Sequence, residues 1–549
     1  NRFLSCYLSP AFTNAIIKHM RLFILLTALC FAMTCPAQNL RSGGVLKPEQ
    51  ANMDIRHYTI ALDVNPTAKT INGSTEIRLN LLQPSNLLLL DLWHGLTISQ
   101  VWVNGKAHPF LHGKDDLIRI DLAKALPAQT HTVKIAYGGT PGIAQRPPWS
   151  GGFQWEKDTA GKPWISVSCQ MEGGKIYFPC KDHPSDEPDE GADMIITVPK
   201  GLVATGPGLL QKTSTNGNKS TYHWKTQYPI SNYCLVFNAA DYAVVKRTYT
   251  TINGNKVPMD YYVLQENREK AEGLLDLYEQ SARILEKYFG EFPWAKERMG
   301  MSETPHLGME HQTNIAYGNR YRYQKIGNKD FDWLLHHEFG HEWWANKVTN
   351  KDWAHMWIQE GICTFGDAMA TRELAGEEAY LQRMKLTAMN TQNKFPVVRG
   401  EEVDTDSTYQ GDIYGKGAFF MHTLRYVIGD AIFFPTLKKL ATDPKYTYHN
   451  MVTTADVEQL FSAASGKDLK PLFQFYLYTT QKLEIEVRQT AEKAYTIRLL
   501  NYDGNLPVDI ALSSGTERMD LSKAPVKLTS DTTPVVDIKW FYLKRVIYE

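Results

Sequence analysis

The sequence has no net charge: Lys plus Arg and Asp plus Glu each number 59 among 549 residues. That removes the electrostatic case for nucleic acid or an anionic membrane surface as a partner. Cysteine is scarce, with seven in the chain. Cys169, Cys180, Cys234 and Cys363, the four beyond residue 37, are too few for a disulfide framework and show no zinc-ligand spacing, so they read as small buried residues. Beyond residue 37 no run is long and apolar enough to span a bilayer, and internal repeats, low-complexity tracts and long linkers are missing. What is present is an ordinary globular composition, 43% hydrophobic and 21% charged, with enough length for three or four domains.

Residues 1–37 read as upstream sequence and a secretion signal. Lys18, His19 and Arg21 precede an apolar run from Leu22 to Met33, and Cys35-Pro36-Ala37-Gln38 predicts cleavage after Ala37. Met20 is the expected start. The alternatives are an uncut anchor or a lipid on Cys30 or Cys35, although the residues before both fit a lipoprotein signal poorly. An exported protein, in a bacterial periplasm or secreted, is therefore expected, with no integral span once mature.

The remainder divides by periodicity. Alternation at Tyr58, Ile60, Leu62, Val64 and at Ile77, Leu79, Leu81 predicts a hairpin turning at Asn72-Gly73, and Asn104-Gly105 marks another turn. The same texture runs through Thr132–Tyr137, Met194–Val198 and Tyr242–Val245. Residues 45–246 are expected to form an antiparallel β-sandwich or saddle. Leu274, Tyr278, Ile284, Leu285 and Tyr288 then fall at helical spacing before Gly290 and Pro293, opening a mainly helical domain over 247–481. Alternation returns at Leu483, Ile485 and Val487, so 482–549 reads as a small β-domain. The fold class is α+β multidomain.

One stretch carries chemistry. His337-Glu338-Phe339-Gly340-His341 is an H-E-x-x-H sequence; on a helix, positions i and i+4 share a face, so the two imidazoles can grip one Zn²⁺ ion. By composition alone such a motif arises in a chain this long with a probability of roughly a few per cent. Its flanks favour a real helix, with a start signal at Asp330 or Asp332 and Trp343, Trp344 and Val348 to pack. Eighteen residues after His341 comes Glu360, in Trp357-Ile358-Gln359-Glu360-Gly361. A carboxylate from a second, packed helix would complete a His₂Glu site with an open position for water. His336 fails the spacing test, since its i+4 partner is Gly340. Asp367, seven residues after Glu360, could orient a ligand or be a solvated helix charge; the spacing leaves both open.

His337-Glu338-x-x-His341, eighteen residues, then Glu360 resembles the gluzincin metallopeptidases of the aminopeptidase N family, which includes the leukotriene hydrolases. His341-Glu342-Trp343-Trp344-Ala345-Asn346 matches that family's first zinc helix. The resemblance implies a thermolysin-like catalytic domain holding one Zn²⁺, with His337, His341 and Glu360 as ligands and Glu338 as general base. Asp412-Ile413-Tyr414-Gly415-Lys416-Gly417-Ala418 resembles the family's Tyr-x-Lys-Gly-Ala segment, which makes Tyr414 the donor to the tetrahedral intermediate, with Tyr409 a weaker neighbour. Leu307-Gly308-Met309-Glu310-His311 resembles Gly-x-Met-Glu-Asn, placing Gly308 and Met309 on an edge strand against the substrate and Glu310 on its N-terminal amine. Leu307 and His311 depart from the pattern and leave the first pocket's shape open. Ser168-Cys169-Gln170-Met171-Glu172-Gly173 resembles the family's Gln-x-Glu loop; Glu172 would touch the amine and Gln170 would line the first side-chain pocket. Many relatives carry a further large helical domain after the β-module. No such pattern follows residue 482, which leaves open whether a second subunit of a homo-oligomer covers the site.

The expected activity is removal of single residues from peptides with a free N-terminus. The alternatives are a zinc endopeptidase on the same metal core, which needs neither Glu172 nor Glu310, and a non-catalytic peptide-binding protein of the same fold. Epoxide hydrolysis, known among leukotriene hydrolases, has no specific support.

Overall fold

The structure, a computed structural model, describes residues 40–549; the expected secretion signal and its cleavage site lie outside the described residues. An eight-stranded sheet opens the chain. In spatial order it runs Leu209–Asn216, Lys219–Thr226, Ala192–Pro199, Met53–Asn65, Thr70–Leu81, Thr130–Gly139, Thr97–Val103 and Lys106–His108. Tyr58, Ile60, Leu62 and Val64 all face its buried side, as their period-two spacing requires. The sheet is not wholly antiparallel: Met53–Asn65 pairs parallel with Ala192–Pro199. More than a hundred intervening residues make that crossover feasible where a hairpin would not.

The first hairpin turns elsewhere than at Asn72-Gly73. Its turn is 66–69, where Asn65 Oδ1 accepts from the Thr67 and Ala68 N–H groups and Lys69 takes φ +56°. Asn72 and Gly73 sit inside the second strand, and a Cβ on Gly73 would lie 1.9 Å from the Ala61 carbonyl oxygen. Close approach, not turning, explains this glycine. The Asn104-Gly105 turn is present, with both residues at positive φ.

Two further sheets position the site. A four-stranded sheet (Val203–Thr205, Asn238–Ala240, Pro163–Ser168, Gly152–Lys157) delivers the chain at Ser168 into the Gln170 loop. A five-stranded sheet runs Tyr242–Thr250, Lys256–Leu264, Met299–Glu303, Ile315–Tyr317 and, at its edge, Gly308–Met309. Residues 246 and 247 lie within the first of these strands, which pairs with Lys256–Leu264.

Against this sheet pack helices α1 (Ala271–Phe289) and α2 (Trp333–Gly340); α3 (Trp357–Asn390) packs on these two, and α4 (Gly411–Ile428) packs on α3. Gly290, at φ +90°, ends α1 as its position predicts. Asp332 caps α2, accepting from the Leu335 N–H at 3.1 Å. Trp343, Trp344 and Trp357 are fully buried around the α2–α3 connection. Helices α3 and α4 touch backbone to backbone: a Cβ on Gly361 would lie 2.8 Å from the Gly417 Cα. That contact brings the first turns of both helices, with Glu360 and Tyr414, over the same cavity. Residues from 483 onward form four- and three-stranded sheets packed beside α4, where Phe541 stacks on Tyr426. Among the described residues no helix is long and apolar enough to cross a membrane.

Candidate active site

The last turn of α2 holds His337 and Glu338, and His341 follows as its C-cap, still in helical conformation. His337 Nδ1 donates to Asp367 Oδ2 at 3.1 Å, and His341 Nδ1 donates to the Trp344 carbonyl at 2.7 Å. Each bond fixes a tautomer and leaves Nε2 as a lone pair. The two Nε2 atoms lie 3.2 Å apart, and Glu360 Oε2 is 3.5 Å from the first and 3.3 Å from the second. Left bare, these three buried atoms would repel, so they need a proton or a cation between them. A tetrahedral ion with ligands at about 2.0–2.1 Å would set its ligand atoms about 3.3–3.4 Å apart. Glu360 Oε2 is, correspondingly, buried without a hydrogen-bond partner. The three residues fit a metal ion.

Burial pushes the Glu360 carboxyl up, but the His341 and His337 rings outweigh it and hold it at about 2. Burial opposes charge on both imidazoles, while Cys363 and the Asp367 and Glu360 carboxylates pull them up. Asp367, whose spacing left its role open, is thus bonded to a candidate ligand. Cys363 corrects the reading of its spacing: it lies one turn beyond Glu360, and its thiol with His337 and His341 could also hold an ion. Its Sγ donates to the His337 carbonyl at 3.0 Å and lies close behind Gly340, on the backbone side of α2. Glu360 is therefore the better third ligand. His336 is buried against Phe331 with no partner for either ring nitrogen, as a packing residue.

Around the triad lies a cavity of about 360 Å³ lined by Gln170, Gly308, Met309, Glu310, Glu338 and Tyr414 among others. Clefts of about 490 and 500 Å³ elsewhere are larger, but among the described residues no metal-ligand group lies in them. Glu338 is pushed up to about 8 by burial, against the pull of His337. A Cβ on Gly308 would stand 2.6 Å from Glu338 Oε1, so only glycine lets this edge strand run so close. Glu310 follows the strand; its Oε1 accepts from Gln170 Nε2 at 2.5 Å and from Tyr233 OH at 2.9 Å. Its other oxygen carries neither bond, and burial raises its pKa against the pull of His341. The Tyr414 ring lies 6.1 Å from that of His337, and its hydroxyl is 2.5 Å from Tyr409 OH. Burial, then the Glu360 charge, holds the Tyr414 phenol well above its usual range, so it keeps its proton.

Glu172 departs from expectation. It is buried but absent from the cavity wall; its Oε1 accepts from the Gly151 N–H at 2.9 Å and burial lifts it to about 7. Gln170, two residues earlier, is the loop residue that reaches the site. Tyr233 went unnoticed because nothing in its spacing separates it from the other 27 tyrosines. Trp149 and Trp333, partly exposed at the mouth, were also not anticipated.

Residues 55–234 match the peptidase M1 N-terminal domain, and residues 278–476 match the peptidase family M1 domain. The chain belongs to peptidase family M1. It is 25% identical over 418 residues to leukotriene A-4 hydrolase of Xenopus laevis, covering 70% of this chain and 63% of that protein. It is 24% identical over 360 residues to aminopeptidase B of Rattus norvegicus, covering 61% and 51%. The chain thus spans about half to three fifths of the length of these curated relatives. A crystal structure of an M1 zinc metallopeptidase from Deinococcus radiodurans superposes with a TM-score of 0.64 at 20% identity, covering 78% of this chain and 95% of that one. The three-part α+β architecture is that of this M1 fold.

Proposed function

We propose that this M1 chain is a zinc-dependent aminopeptidase that hydrolyses the N-terminal bond of peptides. The observation that carries this reading is the buried Glu310 carboxylate, held by Gln170 and Tyr233 beside the His337–His341–Glu360 triad. A carboxylate there can neutralise a peptide's terminal ammonium and fix its distance from the reacting carbonyl. An endopeptidase gains nothing from it.

His337, His341 and Glu360 would hold the Zn²⁺, which when bound supplies Lewis acidity and acidifies water. Glu338 takes the proton from the attacking water and returns it to the leaving amine. The Tyr414 hydroxyl donates to the oxyanion as charge develops. The Gly308–Met309 edge strand, paired among the described residues on one side only with Ile315–Tyr317, offers its free edge to the peptide backbone. Glu310 and Gln170 bind the amine, and Glu172 anchors the loop through Gly151. Trp149, Trp333, Met309 and Leu334 give the cavity an apolar mouth suited to large apolar side chains.

The test is metal analysis with turnover of an aminoacyl anilide. One zinc per chain is expected, with activity lost to a chelator and restored by Zn²⁺. A fully loaded protein inert towards a panel of aminoacyl anilides and free peptides would favour a binding protein.

A further inference from the structure

The Gln170 loop is buried, and contacts with other segments rather than backbone bonds of its own hold it. Cys169–Gly173 lies outside every strand, and its one internal backbone bond joins the Gly173 N–H to the Cys169 carbonyl at 2.7 Å. Its outer anchor is a segment more than 120 residues away. Ser42 N–H donates to the Met171 carbonyl at 2.9 Å, and Thr405 Oγ1 donates to the same oxygen at 2.7 Å. Met171 directly follows Gln170.

The segment is itself seated. The Thr405 N–H donates to the Ser42 carbonyl and the Gly44 N–H to the Val403 carbonyl, both at 3.1 Å, making an antiparallel bridge between Gly43 and Asp404. Ser42 Oγ reaches Asp182 Oδ1 at 3.3 Å, and that carboxylate sits directly under Gly173. Leu40 and Ser42 are buried. Gly43 stands at φ +80°, where a Cβ would lie 2.3 Å from the Trp353 ring, so no other residue can take this path.

We propose that residues 40–44, together with Thr405 to which they are bridged, form a strap that positions Gln170 against Glu310, and so sets how tightly the site holds a peptide's N-terminus. The proposal rests on the aminopeptidase reading above. The Gln170–Glu310 contact is a short hydrogen bond, and a shift of the loop by an ångström breaks it. The strap touches neither the metal triad nor Glu338, so its loss should weaken substrate binding without slowing chemistry. Gln170 contacts substrate; Ser42, Gly43 and Thr405 are positioning residues.

The experiment compares Gly43→Val, Thr405→Val and Thr405→Ser in the full chain with wild type and Gln170→Ala. Readouts are KM and kcat on one free tripeptide, and hydrogen exchange of the amides in 169–174. Gly43→Val and Thr405→Val are expected to raise KM roughly tenfold with kcat within about threefold, and to speed exchange in the loop. Thr405→Ser, which keeps the hydroxyl, should behave as wild type. Melting curves separate these effects from unfolding, and Thr405→Val carries the test if Gly43→Val does not fold. KM within about twofold of wild type in both variants, while Gln170→Ala raises KM, overturns the strap alone. A silent Gln170→Ala overturns the amine-site reading and the strap's role with it.

Discussion

Gln170 Nε2 donates to Glu310 Oε1 at 2.5 Å, joining a loop of the N-terminal sheets to the edge strand of the catalytic sheet. Neither element makes the proposed amine site by itself. Gln170 and Tyr233 both donate to one oxygen of Glu310 and leave the other without either bond.

Glu338→Gln should lower kcat by roughly 10²- to 10⁴-fold, the usual span for a positioned acid–base group. Bound zinc, measured by atomic emission, should stay at the wild-type level, because Glu338 is not one of the triad.

Tyr414→Phe should lower kcat by about 10²- to 10³-fold with little change in KM, since the hydroxyl acts on charge that develops only in the transition state. Tyr409→Phe should have a smaller effect. Steady-state kinetics on one tripeptide distinguishes them.

Asp367→Asn removes the carboxylate that fixes the His337 tautomer. Zinc affinity, measured by competition with a chromophoric chelator, should fall about 10- to 100-fold.

Acid should release the metal. His337 and His341 bind an ion only as neutral imidazoles, so protons compete with it for the same Nε2 atoms as pH falls. The Glu310 pKa is raised, chiefly by burial, so KM for a cationic N-terminus should rise as pH falls and Glu310 takes up a proton. Glu310→Gln should raise KM at all pH values and flatten that acidic limb. Zinc content and KM against pH, measured on the same samples, separate the two effects.

Gly361→Ala should push α3 from α4, since its Cβ would meet the Gly417 Cα at 2.8 Å. A loss of about 1–3 kcal/mol is expected by denaturant titration, with weakened zinc binding because Glu360 is the adjacent residue.

The parts of the site carried by regular elements could be read from spacing. His337 and His341 are one helical turn apart, and the Gly308–Met309 edge strand lies where its motif implied. Irregular segments have no period to read, so the loop containing Gln170 and Glu172 did not declare which side chain faces the cavity. Asn72-Gly73 misled for a related reason: Asn-Gly favours a turn, yet Gly73 is present so that a strand can approach Ala61. Tyr233 and Cys363 reach the site through tertiary packing. The alternation in 45–246 indicated strands but not the parallel pairing, which depends on distant segments meeting.

The most direct test of the central claim is a mass-spectrometric time course on one peptide with a free and with an acetylated N-terminus, with and without a zinc chelator. Stepwise, chelator-sensitive loss of single residues from the free peptide alone is predicted, because the role proposed for Glu310 is to pair with a terminal ammonium. Internal cleavage of both peptides would contradict the account and make the protein an endopeptidase.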